Sequence, residues 1–310
     1  MSLNQSVLIC DQVNPTLNEI LEKNGLQVTY KPEITPEQIA EEIGNFEVVV
    51  VRSRTKLTKD LIQKADKCKI IARVGVGLDN IDQVIAKEKE IRVINAVEGA
   101  MTAVAELVIG LMLSLAREIP RADREVRNGN WIKKELMGTE LKGKYLGIVG
   151  LGNIGKRLGR LAKALNMNII GFDVVPIDEE FSKEVGLMKA DLGTLLASAD
   201  YISLHVPLLD STKHLINSEK LETMKSSARI INTSRGGVID EEALYNALND
   251  GKIAGAALDV FEVEPATSNK LAQLPNFIST PHMGAQTKEA QSLAANVIAE
   301  KIIQILRGVI

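Results

Sequence analysis

Residues 145–173, YLGIVGLGNIGKRLGRLAKALNMNIIGFD, leave the chain few ways to fold. An apolar run enters a turn with glycines at 150, 152 and 155, an amphipathic stretch follows, and a second apolar run ends in Asp173. Helical spacing between two Ile/Val-rich runs predicts strand, helix and parallel strand, joined by a right-handed crossover. The turn fits G-x-G-x-x-G, a common pattern by itself. Here it follows a strand, opens a helix and precedes an acid at the end of the next strand, which is the setting of a dinucleotide-binding turn. Gly150, Gly152 and Gly155 let the backbone of the turn, with Asn153 and Ile154 inside it, approach a pyrophosphate at the helix N-terminus, where the dipole favours negative charge. Asp173 suits the ribose hydroxyls and repels a 2′-phosphate. Val174, Val175 and Pro176 follow it, with no Arg, so the expected cofactor is NAD.

The same alternation runs through the rest of the chain. Strand candidates at 7–10, 47–52, 69–74 and 91–96 are separated by helical patterns at 15–25, 36–43, 58–66 and 81–89. A long apolar helix at 101–119 and a basic, polar segment through Trp131 to Gly143 interrupt the pattern. A second series then offers strands at 145–150, 168–173, 201–206, 229–234, 254–260 and 277–280, closed by a helix at about 287–306. Two series of this kind predict an α/β fold of two parallel-sheet domains. Periodicity alone does not say to which domain the closing helix returns.

The 310 residues suffice for two such cores. A net charge of −3 argues against a dedicated nucleic-acid binder and gives no sign of an anionic membrane partner. The run 103–116, broken by Glu106, reads as a buried helix. Cys10 and Cys68 lie in or beside apolar runs, too few for a disulfide framework, and no His/Cys/Asp set has metal-ligand spacing, so no metal is expected. With MSLNQSVLIC lacking the build of a signal peptide, the expected compartment is the cytoplasm.

Oxidising an alcohol against a nicotinamide needs a base for the hydroxyl proton and a cation for the forming carbonyl. His282, in TPHMG, follows the last strand candidate of the second series. Glu264, in DVFEVEP, follows the strand before it, and Arg235, in NTSRGG, the strand before that. Ligands of open α/β sheets bind at the carboxyl ends of strands. Singly, these are equally a helix-entry histidine, a loop acid and a surface cation; three together at successive strand ends point to one site. Of the other histidines, His205 sits near a strand end, where a cofactor-side role is open, and His214 reads as a turn residue.

At this point the residues match a family. GLGNIG with Asp173, HVPLLDSTKHLIN at 205–217, NTSRGGVIDEEAL at 232–244, GAALDVFEVEP at 255–265 and TPHMGAQTKEAQ at 280–291 resemble the NAD-dependent D-2-hydroxyacid dehydrogenases. The likeness extends through VRSRTKLT at 51–58, VGVGLDNID at 74–82 and MGTELKGK at 137–144, nearly the whole chain. DSTKHLIN, MGTELKGK and GAQTKEAQ carry a narrower likeness, to members acting on a phosphorylated 2-hydroxy acid. The resemblance implies two Rossmann-like doubly wound domains with the active site in the cleft between them. It assigns residues 1–97 plus 285–310 to a discontinuous substrate domain and 98–284 to the NAD domain.

Carried over, Arg235 would bind the substrate carboxylate and carbonyl, His282 would be the acid/base and Glu264 would orient it. Asp259 would lie by the nicotinamide carboxamide, with Thr233 and Ser234 in the same pocket, and His205, Val206, Pro207, Gly284 and Ala285 along the cofactor. Gly75 and Val76 would grip the carboxylate by their amides, and Arg52, Ser53, Arg73 and Lys133 would meet the phosphate, with Arg54 a further candidate. Ala103, Val104 and Ala105 stand where many relatives place a Ser or Thr. The helix at 101–119 and the Trp131 segment resemble the family's dimer-forming region, so a homodimer is expected. A regulatory domain of the kind many phosphorylated-acid members carry is not expected within these residues. Two rivals remain on this reading: a sister enzyme for an unphosphorylated acid, and an NADH-sensing binding protein, which can keep the same Arg, Glu and His.

Overall fold

The computed structural model describes residues 3–309. In chain order its elements are β1 (Ser6–Ile9), α1 (Thr16–Lys23), β2 (Gln27–Tyr30), α2 (Pro36–Glu42), β3 (Val48–Val51), α3 (Lys59–Gln63), β4 (Ile70–Arg73), α4 (Gln83–Glu88) and β5 (Arg92–Asn95). Then come α5 (Val97–Arg117), α6 (Ile119–Arg127), β6 (Tyr145–Val149), α7 (Asn153–Ala164), β7 (Asn168–Phe172), α8 (Glu179–Val185), β8 (Met188–Lys189) and α9 (Leu192–Ser198). The last are β9 (Tyr201–Leu204), α10 (Ser218–Thr223), β10 (Arg229–Asn232), α11 (Glu241–Asn249), β11 (Gly255–Leu258), β12 (Phe277–Ser279) and α12 (Lys288–Leu306). The chain divides into two compact units. One runs to Met101 and resumes at Ala285; the other is Thr102–Gly284. The first division falls inside α5, a little beyond the expected boundary at 97.

The first unit holds a parallel sheet in the order β2-β1-β3-β4-β5. Strand alternation sends Val7 and Ile9 to one face and Leu8 to the other. On the first face they share a core with Leu17, Leu21 and the Ala294, Ile298 and Ile302 stripe of α12. On the second, Leu8 packs with Val49, Val51, Ile39, Ile62 and Ile85. Because both faces are covered, the VVVV of β3 is buried at every position, as central parallel strands are. The closing helix thus belongs to the first unit.

The second unit holds seven parallel strands, β12-β11-β10-β9-β6-β7-β8. Chain order reverses between β6 and β9, the switch point where such sheets open a crevice at their carboxyl ends. On one face Ala105, Val108, Leu111 and Met112 of α5 share a core with Leu146, Ile148 and Ile231; on the other, Leu195, Leu196, Leu221 and Leu244 cover Val149, Ile202 and Ile230.

Three features differ from expectation. The helix at 101–119 is α5 at 97–117, ended because Glu118 turns left-handed at φ 50° and Pro120 opens a new helix. That helix, α6, lay unseen because it buries no residue and so prints no apolar stripe. The edge strands β2 and β8 were also missed: QVTY is at most half-buried, and Met188 and Lys189 are exposed. By length and composition alone α5 could cross a membrane, but its apolar side is spent on the core of the second unit.

Candidate active site

Each second-unit candidate is carried at, or just beyond, the carboxyl end of a strand, apart from Lys133. Gly150 directly follows β6, with φ 92°, and a Cβ there would lie 2.6 Å from the His205 carbonyl oxygen beyond β9. A Cβ on Gly155 would come within 2.1 Å of the Gly150 oxygen, so only glycine closes the turn onto α7. Gly152, the N-cap of α7, has no side-chain cap and nothing within 4 Å of its Cβ position, so the turn with Asn153 and Ile154 faces open space. Asp173, just past β7, accepts from the Leu151 amide at 2.6 Å and the Val175 amide at 3.1 Å. The acid therefore also pins the glycine turn from below.

Val206 and Pro207 continue from His205, and Val206 is 3.1 Å from the Gly150 Cβ position. The His205 amide donates to the Val149 carbonyl at 2.7 Å, and its Nε2 lies 2.9 Å from the Ser203 hydroxyl. Burial pulls its pKa down to about 4, so this ring stays neutral near pH 7. His214 is in a turn at φ 47°, its Nε2 3.1 Å from Glu262 Oε1.

At the end of β10, the buried Asn232 shapes the Arg235 loop. Its Oδ1 accepts from the Ser234 amide at 3.0 Å and hydroxyl at 2.7 Å, and its Nδ2 donates to the Arg235 carbonyl at 2.8 Å. A Cβ on Gly236 would lie 1.8 Å from the Phe261 oxygen, so this loop runs backbone to backbone against the segment leading to Glu264. Glu264 uses both oxygens: Oε1 accepts from the Phe261 amide at 3.1 Å and Oε2 sits 2.9 Å from His282 Nδ1. A carboxylate only accepts, so Nδ1 carries the hydrogen and Nε2 is left to take up or give a proton. The His282 side chain is half exposed.

The loop that carries His282 is held by Asp259, which directly follows β11 and is 1% exposed. Asp259 Oδ1 accepts from the Thr280 hydroxyl at 2.6 Å and the Met283 amide at 2.8 Å; Oδ2 accepts from the Gly284 amide at 2.8 Å. The His282 backbone is left-handed at φ 53°, a conformation of measurable cost for a side chain with a Cβ, kept because the surrounding bonds fix it.

In the first unit, Arg52 follows β3 and Arg73 ends β4. Arg73 Nε donates to the Arg52 carbonyl at 3.1 Å, as does Asn80 Nδ2 at 3.0 Å. A Cβ on Gly75, at φ 154°, would lie 3.1 Å from the Arg73 guanidinium. The Gly75 amide donates to the Arg73 carbonyl at 2.9 Å, so it is already engaged, and the Val76 carbonyl accepts from Asn95 Nδ2 at 2.5 Å. Arg52, Arg73, Gly75 and Val76 therefore form one cluster, with Ser53 exposed beside Arg52. One candidate is not gathered in: Lys133 lies exposed in a short 3-10 turn. Ala285 directly follows Gly284, at the division between the two units, and its carbonyl accepts from Gln291 Nε2 at 3.5 Å. Among the described residues no group of His, Cys, Asp and Glu could hold a metal ion.

Sequence reasoning overlooked Asn232, Thr280, Asn80, Asn95 and Asp11. All but Asn80, which lies in the loop before α4, are polar residues at or near a strand end, and that placement was the available signal.

The residues fit a dinucleotide: a glycine turn that tolerates no side chain at Gly155, open space at Gly152, and a buried Thr233 Oγ1 with no hydrogen-bond partner among the described residues. A parallel sheet with this turn at its switch point, plus an Arg, a Glu and a paired His at neighbouring strand ends, defines a nicotinamide-dependent dehydrogenase class. Residues 109–284 match the D-isomer specific 2-hydroxyacid dehydrogenase, NAD binding domain. A D-3-phosphoglycerate dehydrogenase of Methanocaldococcus jannaschii is 48% identical over 303 residues, covering 97% of this chain and 57% of that protein. A hydroxypyruvate reductase of Thermotoga maritima is 46% identical over 290 residues, 93% of each chain. The crystal structure of a glyoxylate reductase from Paecilomyes thermophila superposes with a TM-score of 0.90 at 30% identity, covering 98% of this chain and 95% of that one. The chain belongs to the D-isomer-specific 2-hydroxyacid dehydrogenase family. It spans little more than half the length of the phosphoglycerate dehydrogenase it matches.

Proposed function

We propose that the chain interconverts 3-phospho-D-glycerate and 3-phosphohydroxypyruvate, the reaction that opens phosphorylated serine biosynthesis. NAD, when bound, supplies the acceptor for the hydride of C2. His282 Nε2 takes the hydroxyl proton, and the Glu264 carboxylate at Nδ1 stabilises the imidazolium that results. The Arg235 guanidinium faces the charge gathered on the carboxylate and the carbonyl oxygen. In reduction the same imidazolium returns the proton. Gly150, Gly152, Asn153, Ile154, Gly155, Asp173 and Thr233 would hold the dinucleotide.

The observation that carries the choice of a phosphorylated substrate is the Arg52–Arg73 cluster at the strand ends of the first unit, for which a phosphate is the matching anion. The Methanocaldococcus jannaschii likeness supports the same choice. A second reading, reduction of hydroxypyruvate itself, is favoured by the Thermotoga maritima relative, which matches over the length of both chains. NADH oxidation with each acid separates the two. A charge-assisted bond is worth about 1.5–3 kcal/mol, so kcat/KM for phosphohydroxypyruvate should exceed that for hydroxypyruvate by about tenfold or more. Equal values would transfer the assignment to the unphosphorylated acid.

The same reading includes a homodimer. Trp131 and Met137 stand 82% and 88% exposed on the segment after α6, a large apolar outlay for a free surface. Sedimentation at micromolar concentration should give the dimer mass, and a monomer throughout would remove this part of the proposal.

A further inference from the structure

The first unit contains a buried carboxylate that the proton transfer does not use. Asp11, two residues past β1, is 2% exposed. Its Oδ2 accepts from the Arg52 amide at 2.5 Å and the Thr55 amide at 3.2 Å, and its Oδ1 accepts from the Thr55 hydroxyl at 2.6 Å. From the other side Asn80 Nδ2 donates to the carbonyls of Arg52 (3.0 Å) and Thr55 (2.7 Å). Both backbone polar groups of Arg52 are thus engaged, and the 52–55 loop is clamped between β1 and the 74–80 loop.

A buried anion beside a phosphate site is costly on its face, because it lowers the positive potential that would attract the ligand. Arg54 removes that objection. Its Nη2 lies 3.3 Å from Asp11 Oδ1 and donates to the Cys10 carbonyl at 2.6 Å, while Nη1 donates to the Ile34 carbonyl at 3.1 Å. Arg54 is the counter-ion of Asp11 and is committed to the frame, so it is not a ligand for substrate. The Arg52 guanidinium, by contrast, has no hydrogen bond or ion pair among the described residues. Neutralised by Arg54, Asp11 acts by geometry: two oxygens collecting three donors fix where the Arg52 backbone stands.

We propose that Asp11 is a positioning residue for substrate specificity: through the Arg52 amide and Thr55 it sets the loop that presents the Arg52 guanidinium to the substrate phosphate. This rests on the phosphorylated-substrate reading above. An amide at position 11 offers one acceptor oxygen and turns an N–H toward the loop amides. Valine at position 55 deletes only the hydroxyl bond.

The test is steady-state NADH oxidation by wild type, Asp11→Asn and Thr55→Val with phosphohydroxypyruvate and hydroxypyruvate, with NADH affinity read by fluorescence. Asp11→Asn should lower kcat/KM for phosphohydroxypyruvate about tenfold or more, mainly through KM, and Thr55→Val should lower it about threefold. Neither should change hydroxypyruvate turnover or NADH affinity by more than about twofold. Equal losses on both acids, or no loss on either, would overturn the assignment of Asp11. If Asp11→Asn does not fold, Thr55→Val decides by the same criterion. A wild type that shows no preference for the phosphorylated acid overturns the substrate reading itself; a preference that survives both variants overturns the role of Asp11 alone.

Discussion

Glu264 Oε2 and His282 Nδ1 are 2.9 Å apart, although the two residues arrive from different strand ends and the histidine does so through a left-handed backbone. The pairing fixes which ring nitrogen is free. His282→Ala should lower kcat by about two to four orders of magnitude while NADH affinity holds. Glu264→Gln keeps the shape and removes the charge that favours the imidazolium, so a loss of roughly 10 to 100-fold is expected. Losses of only a few-fold in His282→Ala would make the histidine a packing residue.

The glycine turn separates fold from binding. Gly155→Ala forces a Cβ to 2.1 Å from the Gly150 oxygen, which should cost about 3 kcal/mol and show in the urea midpoint. Gly152→Ala meets nothing within 4 Å and has φ −68°, so stability should stay at the wild-type level. The added methyl would stand where a pyrophosphate approaches, and the NADH dissociation constant should rise about tenfold or more. An unstable Gly152→Ala, or one with unchanged NADH affinity, would contradict this division of roles.

What was legible in the chain follows from how each element is made. Strands buried on both faces, such as VVVV at 48–51, are continuous apolar runs and cannot be mistaken for surface. The half-exposed edge strand at 27–30 and α6, which buries no residue, leave no such imprint, since nothing apolar is required of them. The return of α12 to the first unit is a long-range packing fact, Ala295 and Ile298 with Val7 and Ile9, which no local pattern encodes. In the site, the residues whose chemistry is needed stood out by type, whereas Asn232, Asn80 and Asp11 act by aiming backbone. Their partners, a carbonyl or amide elsewhere in the fold, are invisible until the chain is folded.

His205 gives the fold a pH dependence of known sign. With its pKa pulled by burial from 6.5 to about 4, the folded state binds its proton less readily than the unfolded chain does. Between those two values the unfolded state carries more protons, so stability rises with pH and is lost as pH falls from 6.5 toward 4. The urea midpoint should decline over that window. His205→Asn, which cannot take up a proton there, should flatten the decline. An identical pH slope in wild type and variant would show that other groups carry the effect.

Asp259 tests whether the His282 loop is held or merely placed. Its carboxylate accepts from the Thr280 hydroxyl and from the Met283 and Gly284 amides, three donors on the five residues centred on His282. Asp259→Asn replaces one acceptor oxygen by an N–H that must face an amide donor, so at least one of these bonds is lost and the buried group is left unsatisfied. A displacement of about 1 Å at a proton carrier costs roughly 100-fold in rate, so kcat should fall by about 10 to 100-fold. If the carboxylate instead served the nicotinamide end of the cofactor, the change would appear as weaker NADH binding with kcat largely kept. Measuring kcat beside the NADH dissociation constant distinguishes the two, and a wild-type kcat in Asp259→Asn would show that the loop stands without its anchor.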